Sequence, residues 1–276
     1  GVRDVVVARG DDAVPEQVTA LNGATGAHIW SRQIGNAIWS LAFITDITGD
    51  GIQEIVPGSW AGTLYCLNGA TGAVVWSVAT PGQQRVVALH DVNGDGVQDV
   101  AVGYNTTSQC RAFSGANGAL LWNRAFTDWT WAIDPVADVT GDGINDVAVG
   151  DFDGKVTVLD GVSGEVFWSW LNPTGDKIMT IRGVPDLNGN GAPDVVAGTQ
   201  MLSDGDGGDV YALEGNVNPT AAPGLPPLAG LRLAEAAPNP VRGATVWQLS
   251  AGTAGVARLL LFGPDGRQVR DLGERA

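Results

Sequence analysis

The stretch Asp91-Val92-Asn93-Gly94-Asp95-Gly96-Val97-Gln98-Asp99, followed at once by Val100-Ala101-Val102, decides the fold, because it recurs. The pattern is an acid at position 1, Thr or Asn at 3, Gly at 4 and 6, Asp or Asn at 5 and an acid at 9, and it returns at 46–54, 138–146 and 186–194. Its copies start at 46, 91, 138 and 186, in steps of 45, 47 and 48 residues. A fixed period of this size marks a repeat architecture, in which each unit buries its apolar surface against its neighbours.

A second element alternates with the first: LNGATGAHIW at 21–30, LNGATGAVVW at 67–76, FSGANGALLW at 113–122 and LDGVSGEVFW at 159–168, with the remnant LEGN at 213–216. Each period falls into short apolar runs separated by Gly-rich turns, such as Leu41-Ala42-Phe43-Ile44, Ile55-Val56-Pro57, Thr63-Leu64-Tyr65-Cys66-Leu67 and Val74-Val75-Trp76. A helical repeat would need amphipathic segments of roughly ten residues or more, and none occurs. About four strands per period is a propeller blade.

The expected fold is therefore all-β, a β-propeller of about five four-stranded blades or an arc of a larger ring. Three blades read as complete, the leading one lacks its first strand and the trailing one its last. Trp30, Trp76, Trp122 and Trp168 occupy one fixed strand position and are expected to fill the wedge between adjacent blades.

The expected organisation is propeller repeats over 1–214, a Pro-rich linker over 215–237 and a partial β-sandwich module over 238–276. Pro219, Pro223, Pro226 and Pro227 mark the linker, and strands are expected around Thr245–Leu249, Leu259–Phe262 and Gln268–Leu272. An immunoglobulin-like domain needs about 100 residues, so the module is expected to be truncated. The opening residues, Gly1 to Val7, read as the tail of the repeated motif and carry no signal-peptide pattern.

The chain has 276 residues, 44% of them hydrophobic, and a net charge of −15. The acids sit in regular clusters, which argues against nucleic acid or anionic lipid as partner and for cations. No run of about 18 apolar residues is present, so no membrane span is expected. Cys66 and Cys110 form no C-x-x-C motif and are expected to be buried thiols on the same side of equivalent strands.

Oxygen side chains at positions 1, 3, 5 and 9, with a backbone carbonyl at 7 and a Gly at 6 for the sharp reversal, follow the ligand logic of a calcium loop. The expected calcium ligands are Asp46, Thr48, Asp50, Ile52 and Glu54; Asp91, Asn93, Asp95, Val97 and Asp99; Asp138, Thr140, Asp142, Ile144 and Asp146; and Asp186, Asn188, Asn190, Ala192 and Asp194. The loop at 91–99 has the best donor set. The loop at 186–194, with Asn at positions 3 and 5, keeps only two carboxylates and is expected to be weakest. Position 12, the bidentate Glu of an EF-hand, holds Pro57, Val102, Val149 and Ala197, so these are not EF-hands. Asp, Asn and Gly also favour tight turns on their own account, but turn preference alone does not require the acid at position 9.

These loops resemble the FG-GAP repeats of integrin α-subunit propellers and related bacterial surface proteins, over about residues 1–214. The turn ending in Trp, as in Ala20 to Trp30, is similar to the Trp-docking motif of pyrroloquinoline-quinone-type propellers, which implies blade packing. The tail from Ala237-Pro238-Asn239-Pro240-Val241 to Arg270 resembles C-terminal immunoglobulin-like modules of secreted bacterial proteins. Together these resemblances imply a secreted or cell-surface protein.

If the acidic loop joins first and second strands, the NGATG turn lies on the same end, and the remaining loops gather on the other. That opposite end is expected to carry Trp39, Trp60, Tyr104, Trp129, Trp131, Phe152 and Trp170. Variable loops on a regular scaffold are where binding concentrates. No G-x-S-x-G, P-loop or dinucleotide fingerprint occurs, and His28 and His90 stand in non-equivalent places. The expectation is a binding or adhesion module for an extracellular protein or glycan, with no catalytic residue assigned. A polysaccharide lyase using Arg85 and Arg182, or an architectural spacer, are the alternatives.

Overall fold

The computed structural model describes residues 2–9, 16–82, 85–200 and 208–215, together with the backbone of 232–233, 249–250, 257–262 and 268–275. Every regular element among them is a strand. Short apolar runs bounded by glycine turns leave no other choice, since each run is too short for a helix.

The strands form five antiparallel meanders. Blade 1 contains β1 (Val5–Ala8), β2 (Gln17–Leu21) and β3 (His28–Gln33). Blade 2 contains β4 (Ile38–Ile44), β5 (Glu54–Ser59), β6 (Thr63–Leu67) and β7 (Val74–Ala79). Blade 3 contains β8 (Arg85–Ala88), β9 (Val100–Tyr104), β10 (Gln109–Phe113) and β11 (Leu120–Ala125), and blade 4 contains β12 (Thr130–Val136), β13 (Asp146–Asp151), β14 (Lys155–Leu159) and β15 (Val166–Leu171). Blade 5 contains β16 (Lys177–Val184), β17 (Asp194–Gln200) and β18 (Val210–Glu214). The expected blade composition is thus present: blades 2, 3 and 4 have four strands, and among the described residues blades 1 and 5 have three.

The core lies between blades. One cluster joins Val56, Leu64 and Cys66 of blade 2 to Val86, Val100 and Val102 of blade 3, and another joins Ala101, Cys110 and Ala112 of blade 3 to Val147, Val149 and Leu159 of blade 4. Residues of β9 and β13 are buried along their whole length, because alternate side chains face the blades on either side. Cys66 and Cys110, on the third strands of blades 2 and 3, both turn toward the following blade and are free and buried. Tyr104 belongs to this core and not to an open surface: it is fully buried, which corrects its expected place among the end-face aromatics.

Two compact units divide the chain at Gly1–Ala221 and Ala222–Ala276. In the second, β19 (Arg232–Leu233) pairs with β20 (Leu249–Ser250), and β21 (Ala257–Phe262) pairs with β22 (Gln268–Arg275), both antiparallel. The Pro-rich linker reading at 216–231 and the side chains of the expected sandwich module lie outside the described residues.

Candidate functional site

Meander topology sorts the loops onto two ends. The acidic loops (45–53, 89–99, 137–145, 185–193) join first to second strands, and the NGATG-type turns join third to fourth strands on the same end. Within each acidic loop the position 1 carboxylate organises the backbone. Asp46 accepts from the amides of Thr48 at 3.1 Å, Gly49 at 2.7 Å and Gly51 at 2.7 Å. Asp91 and Asp186 do the same in their loops. The amides of Gly51, Gly96 and Gly191 are the main reason that Asp46, Asp91 and Asp186 titrate below the ordinary carboxylate range. The glycine at position 6 sits at φ 84° in the first loop, a left-handed conformation that other residues adopt only under strain.

Position 5 completes the loop and ties it to the neighbouring turn. Asp50 accepts from the Ile52 amide at 2.8 Å and from Asn68 Nδ2 at 2.6 Å. Asp95 accepts from the Val97 amide at 2.9 Å, from Asn93 Nδ2 at 2.9 Å and from the Ser114 hydroxyl at 3.2 Å. Positions 1, 3, 5 and 7 therefore share one loop in each copy, exposed or half-buried apart from the buried Ala192.

Position 9 is placed differently. Glu54, Asp99, Asp146 and Asp194 are at most 2% exposed and face into the blade. Asp99 accepts from the Val92 amide at 2.8 Å with one oxygen and from the Gly115 amide at 2.9 Å with the other. Asp146 accepts from Val139 and Thr140 and from Gly161 in the same way, and Asp194 from Leu187 and Gly215. Asp99, Asp146 and Asp194 thus clasp the acidic loop to the first glycine of the Trp turn within one blade, whereas Glu54 binds its own loop through the Ile47 and Thr48 amides and leaves Oε2 without a partner. Burial pushes Asp99 and Asp146 above the ordinary range, opposed by those amides. Among the described residues, no three carboxylate, imidazole or thiolate side chains converge as a metal cluster. The oxygens at positions 1, 3 and 5 with the carbonyl at 7 are the donors that fit a hard cation, and the acid at 9 stands behind them.

The Trp residues link blade to blade, as expected from their fixed register. Trp30 Nε1 donates to the Gly69 carbonyl at 2.9 Å, Trp76 to Gly115 at 2.7 Å and Trp122 to Gly161 at 2.9 Å, while Trp168 donates to Gly215. Each indole stacks where the second glycine of the next turn leaves room: a Cβ on Gly72, Gly118 or Gly164 would lie 2.5–2.8 Å from the ring. The NGATG pattern is thus a docking plate for the preceding blade's Trp.

The opposite end carries the loops between second and third strands and between blades. Trp39, Trp60 and Trp129 are 51%, 42% and 46% exposed there. Trp129 and Trp131 flank Phe152, with centroids 5.5 and 5.2 Å away, and Lys177 Nζ lies 4.4 Å from the Phe152 centroid. Trp170 packs on Tyr211 at 4.8 Å. Trp39 and Trp131 are bulged residues: Ile38 pairs with Ser59 and Ser40 with Gly58, and Thr130 pairs with Asp151 and Ala132 with Gly150, so each Trp is skipped by the ladder. A bulge re-aims the side chain at the end of a strand. Sequence reading found these aromatics but not the bulges, which depend on pairing with β5 and β13.

Arg85 and Arg182 do lie on first strands, β8 and β16. Arg182 Nη1 pairs with Asp134 Oδ1 at 2.9 Å, and Arg85 is shifted below its usual range by burial and then by the charge of Arg182. His28 bonds the Ser31 hydroxyl at 2.9 Å, and His90 is exposed beside its loop.

Residues 14–217 match the PQQ_2 family, described as outer membrane protein assembly factor BamB. No curated protein matches the sequence. Among solved structures, Sqt1 of Saccharomyces cerevisiae is similar at TM-score 0.60 and 16% identity, over 77% of this chain and 55% of that one. BBS1N, solved in complex with ARL6DN, is similar at TM-score 0.55 and 14% identity, over 76% of this chain and 60% of that one. The chain thus spans little more than half the length of these two structures, and at such identities the likeness is one of fold. No helix among the described residues is long and apolar enough to cross a membrane.

Proposed function

The chain belongs to the PQQ_2 family, described as outer membrane protein assembly factor BamB, and from that premise we propose that it is a secreted or cell-surface propeller that binds a protein through its aromatic-bearing end. The observation that carries this reading is the exposure of Trp39, Trp60 and Trp129 together on one end of the blades. Large aromatics left in solvent are the residues that dominate binding energy when a partner covers them. The bulge at Trp39 adds to it, because it gives up ladder pairing at a residue whose indole is exposed. BBS1N, a propeller of similar fold, is solved with ARL6DN bound, which favours a protein over a glycan as ligand.

In this reading the acidic end is structural. Its loops are taken as calcium loops of the FG-GAP kind, held by Asp46, Thr48, Asp50 and the Ile52 carbonyl and by their counterparts in the other three copies. Calcium there would neutralise clustered carboxylates and lock each loop; the chain's own part is to present the oxygens on a backbone preset by the position 1 acid.

The test is photo-crosslinking from a benzophenone amino acid placed at Trp60 or Trp129, compared with Ile52 or Leu187 on the acidic end, in extracellular and envelope protein fractions. The expected result is a discrete adduct from the first pair alone, lost on competition with wild-type chain but not with a Trp60→Ala, Trp129→Ala double variant. Adducts arising only from the acidic end would overturn the reading. Glycan-array binding abolished by the same double variant, without a protein adduct, would make the ligand a sugar.

A further inference from the structure

The second carboxylate oxygen of Asp151 has no work in the sheet. Asp151 ends β13, and the corresponding residue is a short hydroxyl in two blades, Ser59 in blade 2 and Thr199 in blade 5, and the core residue Tyr104 in blade 3. Ser59 Oγ accepts from the Ala61 amide at 3.3 Å, and Thr199 Oγ1 accepts from the Asp209 amide at 2.9 Å, so one oxygen ties the strand to the loop that follows it. Asp151 Oδ1 fills that role, accepting from the Lys155 amide at 2.9 Å. Its Oδ2 is surplus. The residue is 1% exposed, and among the described residues Oδ2 has no hydrogen-bond partner. An unpaired buried acceptor destabilises the fold, so a carboxylate where a hydroxyl suffices needs another reason.

Asp151 lines a cleft of about 230 Å³ together with Arg124, Phe126, Thr127, Lys155 and Thr157, where blade 3 meets blade 4 at the aromatic end. Burial, and then the charges of Asp153 and Asp128, push its carboxyl up to about 6; Lys155 opposes this without forming an ion pair with it. The other nearby cations are engaged. Arg124 donates to the Gly164 carbonyl at 2.7 Å and pairs with Glu165 at 2.7 Å, and Lys177 lies over Phe152. Asp153 accepts from the Thr127 hydroxyl at 2.6 Å, and Asp128 accepts from the Trp129 amide at 2.7 Å, so both acids are held at this end.

We infer that this cleft takes a cationic side chain of the partner, a lysine ammonium or arginine guanidinium, which donates to Asp151 Oδ2 while its aliphatic stem lies along Phe126. The inference rests on the reading of this end as a protein-binding face and gives that partner a basic anchor, in keeping with the chain's net charge of −15.

The test is carboxyl-selective NMR of Asp151 in the 276-residue chain, with chelator present. The probes are Nα-acetyl-lysine methylamide, Nα-acetyl-arginine methylamide, spermidine, and Nα-acetyl-norleucine methylamide as the uncharged control. The lysine or arginine probe is expected to displace the Asp151 midpoint downward from about 6 by roughly a unit or more, and the norleucine probe to leave it in place. Binding is expected to be about tenfold weaker near pH 5 than near pH 7.5, because at the lower pH only about a tenth of such carboxyls are ionised. Asp151→Ser, which installs the short hydroxyl of blades 2 and 5, is expected to remain folded by thermal melting and to bind none of the probes. A midpoint unmoved by every cation, or moved equally by norleucine, overturns the site. Displacement by spermidine alone overturns the side-chain anchor. A partner lost on Trp129→Ala but retained by Asp151→Ser overturns this inference while leaving the binding face intact.

Discussion

Trp76 Nε1 donates to the carbonyl of Gly115, 39 residues further along the chain and one blade away, at 2.7 Å. The same step joins Trp30 to Gly69 and Trp122 to Gly161, so a single bond type repeats around the propeller. Each bond leaves from the outer strand of one blade and ends on the turn of the next; at Gly115 and Gly161 that turn is held by the buried Asp99 and Asp146, so loop, turn and Trp form one mechanical unit there.

Substitution at Trp122 should separate the bond from the packing. Trp122→Phe leaves the Gly161 carbonyl without its donor and should lower stability by about 1–2 kcal/mol. Trp122→Ala should cost about 3–5 kcal/mol through the cavity it opens. Gly164→Ala should be comparably severe, because its Cβ would lie 2.6 Å from the Trp122 ring at a backbone φ of 68°. Urea unfolding followed by Trp fluorescence checks all three.

Acids at positions 1 and 9 should behave differently. Asp99→Ala removes acceptors from two buried amides, at Val92 and Gly115, and should destabilise by on the order of 2–4 kcal/mol whether or not calcium is present. Asp91→Asn should instead remove one site's share of the difference between melting curves taken in calcium and in EDTA. For wild type that difference is expected to be about 2.7 kcal/mol per site at a hundredfold excess over the dissociation constant. Asn190→Asp, which gives the fourth loop its missing carboxylate, should enlarge it. Superimposable wild-type curves would remove calcium from the account.

Asp151 should govern part of the acid dependence of stability. Its carboxyl titrates near 6 in the folded chain against 3.8 for the unperturbed group, so between those values the folded state binds more protons than the unfolded one. Stability from this group is therefore greatest below about pH 4, falls as pH rises through 6, and is flat above. Relative to Asp151→Ser in EDTA, wild type should lose on the order of 2–3 kcal/mol across that window, at about 1.4 kcal/mol per unit. Urea midpoints at a series of pH values measure it.

The two thiols should be silent in the native protein. Desolvation, reinforced by the nearby Glu54 charge, pushes Cys66 up to about 12, and complete burial pushes Cys110 higher still. The thiolate is the reactive form, so an aromatic disulfide reagent at pH 8 should label neither thiol until denaturant is added, and then both. Rapid labelling of one thiol in buffer would show that its interblade cluster opens locally.

The repeats determined the blade without help from tertiary contacts. Period, turn glycines and the fixed Trp are local in the chain, and each copy of NGATG needs only its own residues to fold into the turn that receives an indole. Which end carries the exposed aromatics also followed from the sequence, because an antiparallel meander leaves only one way to sort its loops.

Side-chain roles at the loops did not follow. The acid at position 9 has the spacing of a metal ligand, yet in Asp99 one oxygen accepts from the Gly115 amide 16 residues ahead and the other from the Val92 amide, and spacing cannot show which way a strand's first side chain points. Tyr104 reads as an end-face aromatic and is core, since only the packing of blade 3 on blade 2 decides which face of β9 is covered. The skipped Trp39 and Trp131, and the free oxygen of Asp151, arise from pairing and burial against strands distant in sequence. Local pattern fixed the scaffold because its interactions are short-range; the site was decided by the tertiary fold, because its chemistry depends on which polar atoms the neighbouring blades leave unpaired.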